Sequence, residues 1–390
     1  LNPSINTDTR FVEPNRIARV QPRAAGAKEK VATIRLRHGS SPLVLSTPGS
    51  VNWRSGGLSD PIDITAASDA VWTVDTESGN ALVTTEVEAP RLLHDFRVNE
   101  LGWELIAVPW FDAGAMLEAV CAFANVPPSE LLSDRDDVGT NVRDELVAIR
   151  MSLNSAERDE LRDLGMLVGA ALGEGIDAWR PGVSTDFNTA AVISAYLEAR
   201  GAKAVCLIVG GDERLRSFRH PLATGAVVRD AIMAVVVARR AGMHVAATRV
   251  CVRRADDEIV TIMRALNPIN DAVLEASKSG GTWGESMQAL AKAYEMAGRK
   301  DQWREHFQGG PIGFEQREFE LAPTQSDSPF WYLAREVDTA VAWNPSLRGG
   351  AKIEETYLIG SELELLSVTP HWPLLQSPDG TQRSALRVLA

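Results

Sequence analysis

Residues 303–318 read WREHFQGGPIGFEQRE. Gly309, Gly310 and Gly313, with Pro311 between them, mark backbone that turns sharply or lies close against another segment. A surface loop would account for the glycines alone. The alternation Ile312, Phe314, Gln316, Glu318 that follows predicts a strand carrying polar groups towards a partly buried face. His306, Arg317 and Glu318, in the same sixteen residues, are the charged and titratable groups that any chemistry of this stretch would use.

Working outward, the flanking segments alternate helix and strand signals. Downstream, the residues around Ala342-Trp343-Asn344-Pro345 and Lys352-Ile353-Glu354-Glu355-Thr356 predict strands over 337–343 and 352–359. Upstream, helices are expected at 268–278 and 283–297, split by Gly280-Gly281, and apolar runs predict strands at 204–209, 231–238 and 244–252. Before these, Asn154 with Glu157 forms a capping box ahead of Leu161, Leu164, Val168 and Leu172, which share one helical face. Asp186 is placed to cap a further helix burying Val192, Ile193, Tyr196 and Leu197. The first half predicts strands at 43–45, 71–74, 81–85 and 105–108 and helices at 89–96 and 113–126, the latter ended by Pro127-Pro128. The expected architecture is α/β (α+β), with a smaller domain over 31–132, a polar linker at 133–142 and a larger domain over 143–390.

A chain of 390 residues exceeds one ordinary core, which agrees with two domains. A net charge of −12 argues against a nucleic-acid or anionic-membrane partner. Residues 1–30 are the exception, a basic arm expected to be disordered or draped over a partner. Cys121, Cys206 and Cys251 are widely spaced among apolar neighbours, as buried reduced thiols of a cytoplasmic protein would be. No run approaches the twenty apolar residues of a membrane span.

Three segments in order, Phe218-Arg219-His220-Pro221 with the strands to Val252, the 306–318 stretch, and the Asn344-Pro345 and Lys352–Thr356 pair, resemble the Xaa-Pro aminopeptidase, methionine aminopeptidase and creatinase superfamily. Val51-Asn52-Trp53 and residues 85–91 resemble its N-terminal domain, so the likeness runs over about 31–370. The resemblance implies a creatinase-like N-terminal α/β domain followed by a pita-bread catalytic-type domain, in a branch that is Xaa-Pro aminopeptidase-like. The metallopeptidases of that superfamily hold two divalent ions with two aspartates, a histidine and two glutamates. Carried over, those positions fall on Val235, Ala246, Gly310, Asn344 and Glu354, and a substrate-side histidine falls on Arg317. Hard ions need several anionic oxygens, and one carboxylate cannot hold two of them. The expectation is therefore no metal and no cofactor.

Creatinase, in the same superfamily, hydrolyses a C–N bond with a histidine in place of metal. By that resemblance the catalytic candidates are His220, His306 and Glu354, the histidines because their titration suits proton transfer near neutrality. Arg219, Arg249, Gly310, Arg317, Glu318, Asn344 and Lys352 are the substrate-binding candidates, the arginines as bidentate partners for a carboxylate. Glu355 is expected on the opposite strand face as a solvated charge, and Arg54 is a candidate for contact across a dimer. The first functional expectation is a metal-independent, creatinase-like hydrolase acting on a small amino-acid, guanidino or peptide-like molecule, as a homodimer. A binding or scaffold pseudoenzyme is the alternative, and a weak Xaa-Pro aminopeptidase the third.

Overall fold

The computed structural model describes residues 16–58, 66 and 70–389. Its first half comprises α1 (Arg16–Arg37), β1 (Leu43–Leu45), α2 (Pro48–Ser55), β2 (Val71–Asp75), β3 (Asn80–Thr85), α3 (Ala89–His94), β4 (Glu104–Val108), α4 (Ala115–Ala124), β5 (Leu132–Ser133) and β6 (Thr140–Asn141). These strands form one six-stranded sheet in the order β4-β3-β2-β1-β5-β6. The second half opens with α5 (Arg143–Arg150), α6 (Ser155–Asp177), α7 (Asp186–Glu198), β7 (Lys203–Gly211), α8 (Asp212–Ser217), β8 (Ala231–Arg240) and β9 (Met243–Val252). It continues through α9 (Glu258–Glu275), α10 (Trp283–Met296), β10 (Gly309–Pro311), β11 (Thr339–Trp343), β12 (Ser346–Leu347) and β13 (Ala351–Lys352). It ends with β14 (Glu355–Ile359), β15 (Leu363–Leu365), β16 (Leu374–Gln376), β17 (Gln382–Ser384) and β18 (Arg387–Val388).

Two sheets build the second half, β18-β9-β8-β7 and β10-β11-β14-β15. They are joined edge to edge: Thr248 N–H donates to Glu354 O at 2.9 Å, and the Thr356 hydroxyl donates to Ala246 O at 2.8 Å. Alternate residues of β8 serve opposite cores. Ile232, Ala234 and Val236 are buried with Leu164, Val168 and Leu172 of α6, whereas Met233 and Val235 are buried with Met263 and Leu266 of α9. A β-strand covered on both faces reads as a continuous apolar run, which is why 231–238 carries no polar alternation.

Several expectations change. The described part of the basic arm is helix throughout: α1 buries Val20, Ala27, Val31 and Ile34 at spacings of three, four and seven, and Arg23 donates to Ala241 O at 2.8 Å. A domain boundary at residue 30 falls inside it, and 1–15 lie outside the described residues. The segment 133–142 is not a free linker, because β5 and β6 lie in the first sheet and Asp134 accepts from the Ser46 and Thr47 N–H groups, both at 3.0 Å. Helix α9 begins ten residues before Pro268, its Asp257 cap accepting from Ile259 N–H at 2.9 Å. Thr185, rather than Asp186, caps α7; buried Asp186 instead accepts from the Thr224 and Gly225 N–H groups.

The alternation expected over 312–318 is also not a strand. Sheet pairing ends at Pro311, and the Glu318 carboxylate takes the Phe314 and Glu315 N–H groups, at 2.8 and 3.3 Å, that a strand would offer to a neighbour. Gly309 is required by its backbone: φ is +96°, and a Cβ there would lie 2.1 Å from Ala342 O. Among the described residues no helix is long and apolar enough to cross a membrane.

Candidate functional site

Where the two sheets join, a cavity of about 270 Å³ opens between β7, β8 and the segments carrying Arg317, Asn344, Lys352 and Glu354. Antiparallel register places Val235 opposite Thr248 and Val237 opposite Ala246, so all four residues share one face. Val235 and Val237 wall the cavity. At its floor Glu354 accepts from Arg317 Nη2 at 3.0 Å through Oε1 and from the Thr248 hydroxyl at 2.8 Å through Oε2. Lys352 Nζ stands 3.9 Å from Oε2. Both Glu354 and Lys352 are buried, and burial pushes the lysine ammonium below its usual range, opposed by Glu354.

The two histidines meet at the cavity mouth, Nε2 to Nε2 at 2.9 Å. His220 follows α8 in a turn held by the Arg214 guanidinium, which donates to Leu222 O at 2.8 Å. His306 is fixed from behind by Gln308, whose amide donates to the carbonyls of Trp303 and His306 at 3.0 and 2.7 Å. Gln308 is itself held by the Tyr294 hydroxyl at 3.1 Å. The ring contacts determine the tautomers. His306 Nδ1 faces the Phe307 carbonyl, an acceptor only, so that nitrogen carries the proton. His306 Nε2 is then the acceptor, its single lone pair taken by His220 Nε2–H and shared, at the longer 3.3 Å, with Lys352 Nζ. The remaining lone pair is on His220 Nδ1, and His220 is the exposed member of the pair. Burial, then Lys352 and His220, hold His306 down to about 2; burial and Lys352 lower His220 as well.

The structure thus brings together His220, His306, Arg317, Asn344, Lys352 and Glu354 from the sequence candidates. Arg219 stands at the edge, donating to Glu305 at 2.8 Å. Three candidates belong elsewhere. Arg249 follows Thr248 on β9 and therefore points away, where it is fully buried against Glu355 (3.0 Å), Thr369 (2.8 Å) and the Ser367 carbonyl. Glu318 accepts from Arg150 Nε at 2.7 Å and organises the turn. Gly310 pairs with Ala342 inside β10 and does not line the cavity. Glu355 is likewise buried rather than solvated, and Arg54 is buried in a bidentate pair with Asp75 at 2.8 and 2.6 Å, out of reach of any second subunit. Thr248, Phe307 and Cys206 are site residues that sequence reasoning missed. The same-face parity of Val235 and Ala246 would have found Thr248.

A dinuclear metal centre does not fit these residues. Val235, Ala246 and Gly310 offer no donor, and Asn344 offers only a neutral amide. Glu354 already has both oxygens bonded, one by a cation, with a second cation 3.9 Å away. Among the described residues there is no group of three or more His, Cys, Asp or Glu able to hold a metal ion.

No protein-family model and no curated protein sequence matches the chain. Solved structures do. The chain is similar to an Xaa-Pro dipeptidase from Bacillus anthracis with a TM-score of 0.70 at 16% identity, over 94% of this chain and 100% of that one. An X-Pro aminopeptidase from Thermotoga maritima MSB8 gives 0.67 at 16% identity, over 90% and 98%. The N-terminal domain of the FACT complex subunit SPT16 from Cicer arietinum (chickpea) gives 0.63 at 13% identity, over 90% and 96%. At these identities the likeness is one of fold.

Proposed function

We propose that this chain, which has the two-domain pita-bread fold of the prolidases and X-Pro peptidases, is a metal-independent hydrolase of a C–N bond in a small amino-acid, guanidino or peptide-like molecule. The observation that carries the reading is the ordered chain Lys352–His306–His220, with contacts of 3.3 and 2.9 Å, which leaves a free imidazole lone pair at the mouth of a cavity floored by cations. In this reading His220 Nδ1 takes a proton from water as the water oxygen bonds to the electrophilic carbon. His220 then returns the proton to the leaving nitrogen as the C–N bond breaks. His306 touches no reacting atom: it orients His220 as a positioning residue. Arg317 and Lys352 hold an anionic group of the substrate, and Glu354 keeps the two cations in place.

Amine release from a panel of small amides and guanidino acids, assayed in the presence of a chelator, tests the reading. His220→Ala is expected to lower kcat by about 10²–10⁴-fold with KM nearly unchanged and the circular dichroism of the folded protein retained. Full activity in His220→Ala would overturn it. Two observations favour a second reading, a binding or scaffold protein: Glu354 is satisfied by the chain's own side chains, and a FACT complex subunit domain has this fold. Ligand binding without any chelator-resistant turnover would select that reading.

A further inference from the structure

Beyond the histidine pair the cleft widens into an outer chamber of about 490 Å³, with Trp303, Phe307, Leu321, Ala322 and Pro323 among its walls. His220 and His306 belong to the walls of both chambers, so they form the neck between them. The inner floor holds two cations, Arg317 and Lys352, against one carboxylate, Glu354; the other acid of that wall, Glu320, is on the exposed rim. An ammonium whose nearest acid is already shared with a guanidinium is a place for an added anion. The same chamber contains an orphan. Asn344 is only 6% exposed, yet its Oδ1 accepts no hydrogen bond. A buried amide oxygen left unpaired costs about 1–3 kcal/mol, which a ligand N–H would recover once the Asn344 side chain turns its Oδ1, closed to solvent here, into the chamber.

An anion in excess demand, a missing N–H beside it, a proton-transfer pair at the neck and, outside it, a roomier chamber with an apolar wall and a polar rim describe one molecule in sequence. We infer that the cleft takes an N-acyl amino acid, with its carboxylate on Lys352 and Arg317, its amide N–H on Asn344 Oδ1, and its acyl group in the outer chamber. The assignment rests on the hydrolase reading only for its chemistry. The amide bond then lies at the neck, where water adds its oxygen to the acyl carbon, the C–N bond breaks, and the nitrogen leaves with a proton as the free amino acid.

Titration calorimetry with N-benzoylglycine, N-benzoylglycinamide and N-benzoyl-N-methylglycine tests the carboxylate and the N–H separately. N-benzoylglycine is expected to bind, and each of the other two about tenfold more weakly. Lys352→Met should abolish the first discrimination. Asn344→Leu, which removes an unpaired acceptor from the folded protein, should abolish the second. Absence of binding by both N-benzoylglycine and N-acetyl-leucine, or equal binding of the three benzoyl compounds, overturns the inference. The ranked binding without amine release supports this ligand class and removes the hydrolase reading. Chelator-resistant turnover of a substrate with no acyl group, without binding of N-benzoylglycine, does the reverse.

Discussion

A proton on Nδ1 of His306 orders everything around it. Because Phe307 O can only accept, the tautomer of His306 follows, then the direction of its bond to His220, then the atom of His220 left free. Nitrogen-15 chemical shifts of the two rings should report Nδ1–H in His306 and Nε2–H in His220, and the reverse tautomer in either would break the chain. In this scheme the neutral His220 is the working form. Its titration is lowered from the ordinary 6.5 by burial and by Lys352, so the rate should rise as pH climbs through a midpoint below 6.5 and be flat from there to neutrality. Lys352→Met removes a neighbouring positive charge and should move that limb to higher pH. A limb centred above 6.5 in the native protein would contradict the assignment. At this scale the sequence was legible where strand parity was applied. Lys352, Glu354 and Thr356 share a face by period two, and Glu354 does reach the floor with Lys352. Arg249 misled because its charge was weighed without its parity: Thr248, one residue earlier, is the one that touches Glu354.

At the scale of elements, glycine means something different in α6 than it does at a turn. Gly165 and Gly169 lie one helical turn apart, and their missing side chains let the segment Leu366–Val368 pass against the helix. A Cβ on Gly169 would lie 2.0 Å from Val368 O. In an exposed helix a Gly→Ala change stabilises by about 1 kcal/mol. Here the opposite is expected, since the added methyl must displace backbone: Gly169→Ala should destabilise by about 1–3 kcal/mol in urea unfolding, and a stabilised variant would refute the close approach. The capping box at Asn154, and the apolar runs of β8 and β9, could be read locally because each signal is complete within a few residues. The 312–318 alternation could not. Its period suited a strand, but the N–H groups that decide the matter are taken by Glu318, whose position depends on Arg150 more than 160 residues earlier.

For the whole molecule, the fold was readable. The superfamily resemblance implied it, and the similar solved structures have the same two-domain fold. Purified protein should contain well under one equivalent of manganese, cobalt, zinc or iron, and adding these ions should not raise its activity. Two tightly bound ions per chain in elemental analysis would defeat the reading of the floor. What the sequence concealed was how the halves are fastened. Two-residue strands such as β5 and β6 have no period to detect, so a polar stretch read as a linker. A basic segment read as an arm because its buried positions include an arginine, Arg23, among few strongly apolar residues.

Helix α1 packs against α2 of the first half and against α5 and α6 of the second. Arg23 crosses that junction to Ala241 O and lies 5.7 Å from the Phe314 ring, so the helix reaches the stretch that forms the cleft wall. Melting either half would therefore strip cover from a helix that the other half needs. The two halves share one thermodynamic fate, and a heating scan should trace a single calorimetric peak, not two.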